Sequence, residues 1–219
     1  GSLALADFVL MGEARHPFWG LSVSTAGDVD GDGLDDLFVG DYLNSDGGSD
    51  AGKSYLVLGS TLAASTSSTI DLSNADFTFI GETSSDSAGY SISAAGDVDG
   101  DGLDDLLIGA YSNDDAGTNA GKAYLILGST LAASTATTLD LSDADFSFIG
   151  ENGGDSAGYS VSTAGDGLLA LARTLCSRPL ARCCRHSGQG HRGRIGAAGQ
   201  ARPERSASPA RRAVAPRTR

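Results

Sequence analysis

The chain repeats itself every 69 residues, and that period constrains its fold more than any other feature. "LALADFVLMGE" at 3–13 returns as "LSNADFTFIGE" at 72–82 and as "LSDADFSFIGE" at 141–151. "GLSVSTAGD" at 20–28 returns at 89–97 and 158–166, and "AGKSYLVLGSTLAAST" at 51–66 returns at 120–135 with two changes. Two full copies, 3–71 and 72–140, are followed by a partial third, 141–166. A unit of this size in tandem cannot bury its apolar faces alone, so neighbouring copies must bury them.

Within a copy the texture is β. Short runs rich in Val, Ile, Phe and Tyr alternate with clusters of Gly, Asp, Ser and Asn. Four strands are predicted per copy, "DFTFIG", "GYSISAA", "DDLLIGA" and "KAYLILG" in the second. In "GYSISAA", Tyr90, Ile92 and Ala94 alternate with Ser91 and Ser93, the pattern of a strand with one wet face. Tyr55, Tyr124 and the pairs Phe77/Phe79 and Phe146/Phe148 sit at strand spacing and read as core. "STLAASTSST" can make a helical turn, but its Ser and Thr content favours a surface connection. The expected class is all-β, built of four-stranded antiparallel β-propeller blades or a stacked β-array, with two full repeats and a truncated third. Two copies and a fragment do not close a ring, so the chain reads as a piece of a longer array that pairs with further repeats or with itself through open strand edges.

Residues 1–166 hold 27 acidic and three basic residues (Arg15, Lys53 and Lys122), a balance of −24. Such a surface repels nucleic acid and anionic membrane and attracts cations. The acids concentrate in "GDVDGDGLDDL", found at 27–37 and, letter for letter, at 96–106. Each loop reads D-x-D-x-D-G-x-x-D. Unit charges about 4 Å apart repel by roughly 4 kcal/mol at an effective dielectric near 20, and a hard divalent cation reverses that sign. Calcium takes about 6–8 oxygens, mixing carboxylates, carbonyls and water. Asp28, Asp30, Asp32, the Leu34 carbonyl and Asp36 form one candidate set; Asp97, Asp99, Asp101, the Leu103 carbonyl and Asp105 form the other. Gly33 and Gly102 permit the turn. An EF-hand would need Glu at position 12, where Val39 and Ile108 stand, and magnesium prefers fewer protein ligands. The plainer alternative is a pair of solvated Asp-Gly turns. Asp35 and Asp104 point away from the cage by strand alternation and are left out of it.

With these loops, "FWGLSVSTAGDVDGDGLDDLFVGD" and "AGYSISAAGDVDGDGLDDLLIGAY" resemble the FG-GAP repeat of integrin α-subunit propellers and of bacterial secreted and surface proteins. The resemblance spans about 160 residues, and it implies one blade of a seven-bladed propeller per repeat, with calcium in a hairpin loop held by the residues named above. The hallmark "FG" is here Trp19-Gly20 and Ala88-Gly89, and "GAP" is "GDY" at 40–42 and "GAY" at 109–111. The resemblance therefore carries the calcium loop and not integrin-like ligand recognition.

After Asp166 the third copy is replaced by residues 167–219, with twelve Arg, one acid and all three cysteines. This basic low-complexity tail is expected to be disordered, and its composition is that of a GC-rich gene read out of frame. The cysteines lack disulfide or zinc spacing. No run is apolar enough to span a membrane, and no signal peptide opens the sequence, which begins "GSLALADF" like the interior of a longer chain. His16 has no recurring partner acid, and "DAGKS" lacks phosphate-loop spacing, so no enzyme is expected. The function read from these features is a secreted or cell-surface calcium-binding module, with about two Ca²⁺ sites, for adhesion or contact with a protein or surface glycan. The alternatives are a non-catalytic accessory fragment of a larger secreted enzyme, or a truncated product without its own function.

Overall fold

The computed structural model describes residues 7–13, 20, 22–163 and 185–186, which all belong to one compact unit. His16, Trp19 and nearly all of the tail lie outside the described residues. The strands are β1 (Val9–Met11), β2 (Ser22–Gly27), β3 (Asp36–Asp41), β4 (Lys53–Val57), β5 (Thr69–Asp71), β6 (Phe77–Ile80), β7 (Ser91–Gly96), β8 (Asp105–Ala110), β9 (Lys122–Ile126), β10 (Thr138–Asp140), β11 (Phe146–Ile149) and β12 (Arg185–His186). Two six-residue helices, α1 (Gly59–Ala64) and α2 (Gly128–Ala133), fall where a plain surface connection was expected. Three carboxylate contacts make the first helix possible. The Leu58 and Gly59 amides, which a helix start leaves without partners, donate to Asp76 Oδ2 and Asp36 Oδ1, both at 2.8 Å, and Thr61 Oγ1 donates to Asp76 Oδ1 at 2.8 Å.

Two five-stranded sheets have the orders β10-β6-β4-β3-β2 and β12-β11-β9-β8-β7, and neither closes on itself; β1 and β5 form a separate parallel pair. In each large sheet four neighbours run antiparallel, but the sheet is five-stranded and out of phase with the repeat. β6, at the start of the second copy, pairs with β4 of the first, and β11 of the third copy pairs with β9 of the second. The partial third copy thus completes the second sheet. Each outer strand takes a further neighbour: β10 runs parallel to β6, and Arg185 and His186 of the tail pair antiparallel with Ile149 and Phe148 of β11.

Burial explains why β8 and β9 read as unbroken apolar runs: every residue in both is buried, because both faces of the sheet are covered. The period of two persists in the destination of each side chain. Leu106, Ile108, Tyr124 and Ile126 join a core shared with Phe38, Leu56 and Phe79 of the first sheet, whereas Leu107, Ala123 and Leu125 join a cluster on the opposite face with Val161. Val39, Tyr55 and Val57 turn to a third cluster with Leu72. Phe38 and Phe79 meet edge to face at 5.8 Å. Tyr55, Tyr124 and Phe79 are fully buried as expected, while Phe77, Phe146 and Phe148 are partly buried against the same clusters. In β7 the expected alternation breaks. The register shifts between Ala94 and Gly96, so Ile92 and Ala95 are buried and Ala94 is not.

Successive copies lean on one another through backbone. Gly52 and Gly121 bridge to Ala88 and Ala157 of the next copy. Their φ values of +90° and +77°, with neighbouring backbone where a Cβ would stand, require glycine. Ser22 and Ser91 hydroxyls accept from the Ile92 and Val161 amides, at 3.1 and 2.9 Å, one period apart.

Candidate metal centre

Each carboxylate loop joins the first two strands of a large sheet, β2 to β3 and β7 to β8. Single ligand oxygens of Asp28, Asp30 and Asp32 lie within 4.8 Å of one another, as do those of Asp97, Asp99 and Asp101. The loops hold this shape by turning backbone amides onto their own carboxylates. Asp32 N donates to Asp30 Oδ1 at 3.1 Å, Gly33 N to Asp28 Oδ2 at 3.0 Å, and Leu34 N to Asp32 Oδ1 at 2.8 Å. In the second loop Asp101 N donates to Asp99 Oδ1 at 3.2 Å, Gly102 N to Asp97 Oδ2 at 3.0 Å, and Leu103 N to Asp101 Oδ1 at 2.9 Å. Gly33 and Gly102 adopt φ of +87° and +93°, the left-handed turn expected of them.

Asp36 and Asp105 stand apart from these triplets. Both are buried, and each of their carboxylate oxygens accepts a backbone amide. Val29 N reaches Asp36 Oδ2 at 2.9 Å, and Gly59 N reaches Oδ1; Val98 N and Gly128 N do the same for Asp105 at 2.8 and 2.9 Å. Each therefore ties its loop to the start of a helix. Burial holds both carboxyls above the ordinary carboxylate range, against the pull of those amides, and the neighbouring loop charges push them higher still.

The donor set is all hard oxygen, suited to a hard divalent cation and not to a soft one. One observation tests the fit. Asp28 Oδ1 is buried and has no hydrogen-bond partner among the described residues, although a buried carboxylate oxygen without a partner is costly. A cation among Asp28, Asp30 and Asp32 would satisfy it. Exposed Asp-Gly turns alone, the plainer alternative, leave that oxygen unexplained.

Residues 88–126 match the family model of the FG-GAP repeat. The chain carries an FG-GAP repeat. The matched FG-GAP segment takes in β7, the Asp97–Asp105 loop, β8 and β9. One period earlier, 19–57 carries the same loop unchanged. No curated protein matches the chain.

Asp104 is the site residue that the sequence reading set aside. Its carboxylate lands on the preceding loop, where Oδ2 accepts the Asp28 amide at 2.9 Å. The available signal was its recurrence one period after Asp35, next to a loop that must touch its neighbour. Lys53 and Lys122 are buried ion centres. Lys122 Nζ bonds both Glu82 oxygens at 2.8 Å and Asp115 at 2.9 Å; Lys53 bonds Glu13 and Asp46 in the same way.

Proposed function

We propose that this chain is a calcium-binding repeat module of an extracellular or surface protein, whose sheets are propeller blades and whose ions rigidify a surface for protein contact. The observation that carries it is the carboxylate triplet with a buried, partnerless Asp28 Oδ1, present in a loop that recurs unchanged. Asp28, Asp30 and Asp32 would supply one oxygen each and Leu34 its carbonyl. Asp36, whose oxygens keep a second lone pair beyond the bonds to Val29 and Gly59, would supply the inner side; the second loop would do the same with its own five residues. Calcium accepts such a crowded oxygen set, whereas magnesium demands near-ideal octahedral geometry and retains waters. Extracellular modules bind with a Kd of about 10⁻⁴ to 10⁻³ M, which suits millimolar calcium outside cells.

Partners are read from edges and charge. β1 is paired on one side only among the described residues and exposes Val9 and Met11, with Phe8 exposed just before it, an edge that a further repeat or a second copy would cover. The acidic repeats disfavour nucleic acid. Among the described residues no helix is long and apolar enough to cross a membrane.

Calorimetric titration of the full chain with calcium tests the reading, with thermal unfolding followed in parallel. About two ions per chain are expected. At tenfold excess over Kd the pair would stabilise by about 3 kcal/mol, raising Tm by roughly 5–10 °C, an increase that a chelator removes. Absence of binding at several millimolar calcium overturns the reading.

A further inference from the structure

The two loops have identical sequences over eleven residues, yet their first aspartates are bonded differently. Asp97 spends both oxygens inside its own loop: Oδ1 accepts from Gly100 and Asp101 at 2.7 and 3.0 Å, and Oδ2 accepts from Gly102. Asp28 spends only Oδ2, on Gly33, and keeps Oδ1 partnerless beside Asp30 and Asp32. Since the letters are the same, the cause lies outside the loop. It is Asp104, 76 residues away, which grips the Asp28 backbone from both sides. Its carboxylate accepts from the Asp28 amide, and its own amide donates to the Asp28 carbonyl at 3.1 Å. The fit is close: a Cβ on Gly27 would strike the Asp104 carboxylate, and a Cβ on Gly31 would come within 2.9 Å of Leu103 Cδ2. One period after Asp104 the sequence has Arg173, so loop 97–105 has no equivalent carboxylate at that position.

We infer that Asp104 is a positioning residue that makes loop 28–36 the tighter of two chemically identical calcium sites; this rests on the calcium reading above. Pinning the Asp28 backbone leaves its Oδ1 free for the ion and adds a negative charge nearby. Asp97 must instead release the Gly100 and Asp101 amides before that oxygen can bind. Groups that orient a ligand in this way typically change metal affinity by about tenfold to a hundredfold when removed.

The test is a calcium titration of the full chain followed by NMR at the Gly33 and Gly102 amides, which report the two loops separately. In the wild type Gly33 saturates first. In Asp104→Ala the loop 28–36 affinity falls by about tenfold to a hundredfold while that of loop 97–105 is unchanged, so the order is lost. Asp104→Asn, which keeps an acceptor for the Asp28 amide, recovers part of the loss and decides the matter if the alanine variant does not fold. Gly102 saturating first in the wild type, equal weakening of both loops, or no change in either variant overturns the inference. If the wild type binds calcium at neither loop, the calcium reading fails and takes this one with it. If both loops bind with equal affinity, only this one fails. Hydrogen exchange of the Asp28 amide without calcium checks the clasp itself: the wild type protects it more than Asp104→Ala does.

Discussion

At Asp36 a carboxylate is buried because two amides from separate segments, Val29 in the loop and Gly59 at the helix start, each need an acceptor that no strand or helix provides. Asp30, six residues earlier, is exposed and accepts only the Asp32 amide, a bond that an Asn oxygen can also accept, while its neighbours crowd it. Their substitutions should therefore act in opposite ways. Asp36→Ala strands two buried donors, at about 1–3 kcal/mol each, and is expected to cost about 2–5 kcal/mol in urea unfolding with a chelator present. Asp30→Asn under the same conditions should change stability by no more than about 0.5 kcal/mol, yet abolish calcium binding at its loop. A comparable loss in both variants would show that the loop shape depends on the exposed carboxylates rather than on the buried one.

Among the elements, the offset between repeat and sheet matters most. A chain cut at the repeat boundary after Asp140 would keep every residue of the second copy but lose β11, leaving the β9 edge and the cluster around Leu107 and Leu125 open. A chain ending at 166 keeps that strand. The shorter chain is expected to unfold at lower urea and to associate through the bared edge, with light scattering and the urea midpoint as the readouts; equal behaviour of the two chains would refute a role for the third copy in the second sheet. The ion centres reinforce the same offset. Glu82 follows β6 of the first sheet, and its partner Lys122 opens β9 of the second, so this pair ties sheet to sheet. Glu13 and Lys53 repeat the tie one period earlier, from β1 to β4.

For the whole molecule, the buried cations and tyrosines set an upper pH limit. Burial alone would lower the Lys53 and Lys122 ammonium groups, but the hydrogen bonds they donate to Asp46 and Glu13, and to Glu82 and Asp115, carry both above the ordinary lysine value. Tyr55 and Tyr124 are pushed up by burial and then by nearby carboxylates. In all four the folded state holds its proton more tightly than the unfolded chain. Their contribution is fully present below their unfolded values, near pH 10, and is lost as pH rises toward the folded ones. The urea midpoint should be steady from pH 8 to 9.5 and fall above about pH 10. Lys122→Met should start lower and fall less steeply; an unchanged slope would remove Lys122 from the account.

The sequence by itself determined the period, the β class, the buried Tyr55 and Tyr124, and both carboxylate triplets, because each depends on neighbours within a few residues or on strict repetition. Strand existence and loop chemistry are local, so they are written locally. Only the tertiary structure decided that β6 and β11 belong to the preceding sheets, that Asp36 and Asp105 are buried ties, and that Asp104 reaches the earlier loop. A tandem repeat defines its unit only up to a shift of phase, and hydrogen bonding between copies chooses the phase. The same reason separates the two loops: identical residues met different neighbours, and among the described residues only Asp28 of the two first aspartates is held by a carboxylate from the next copy.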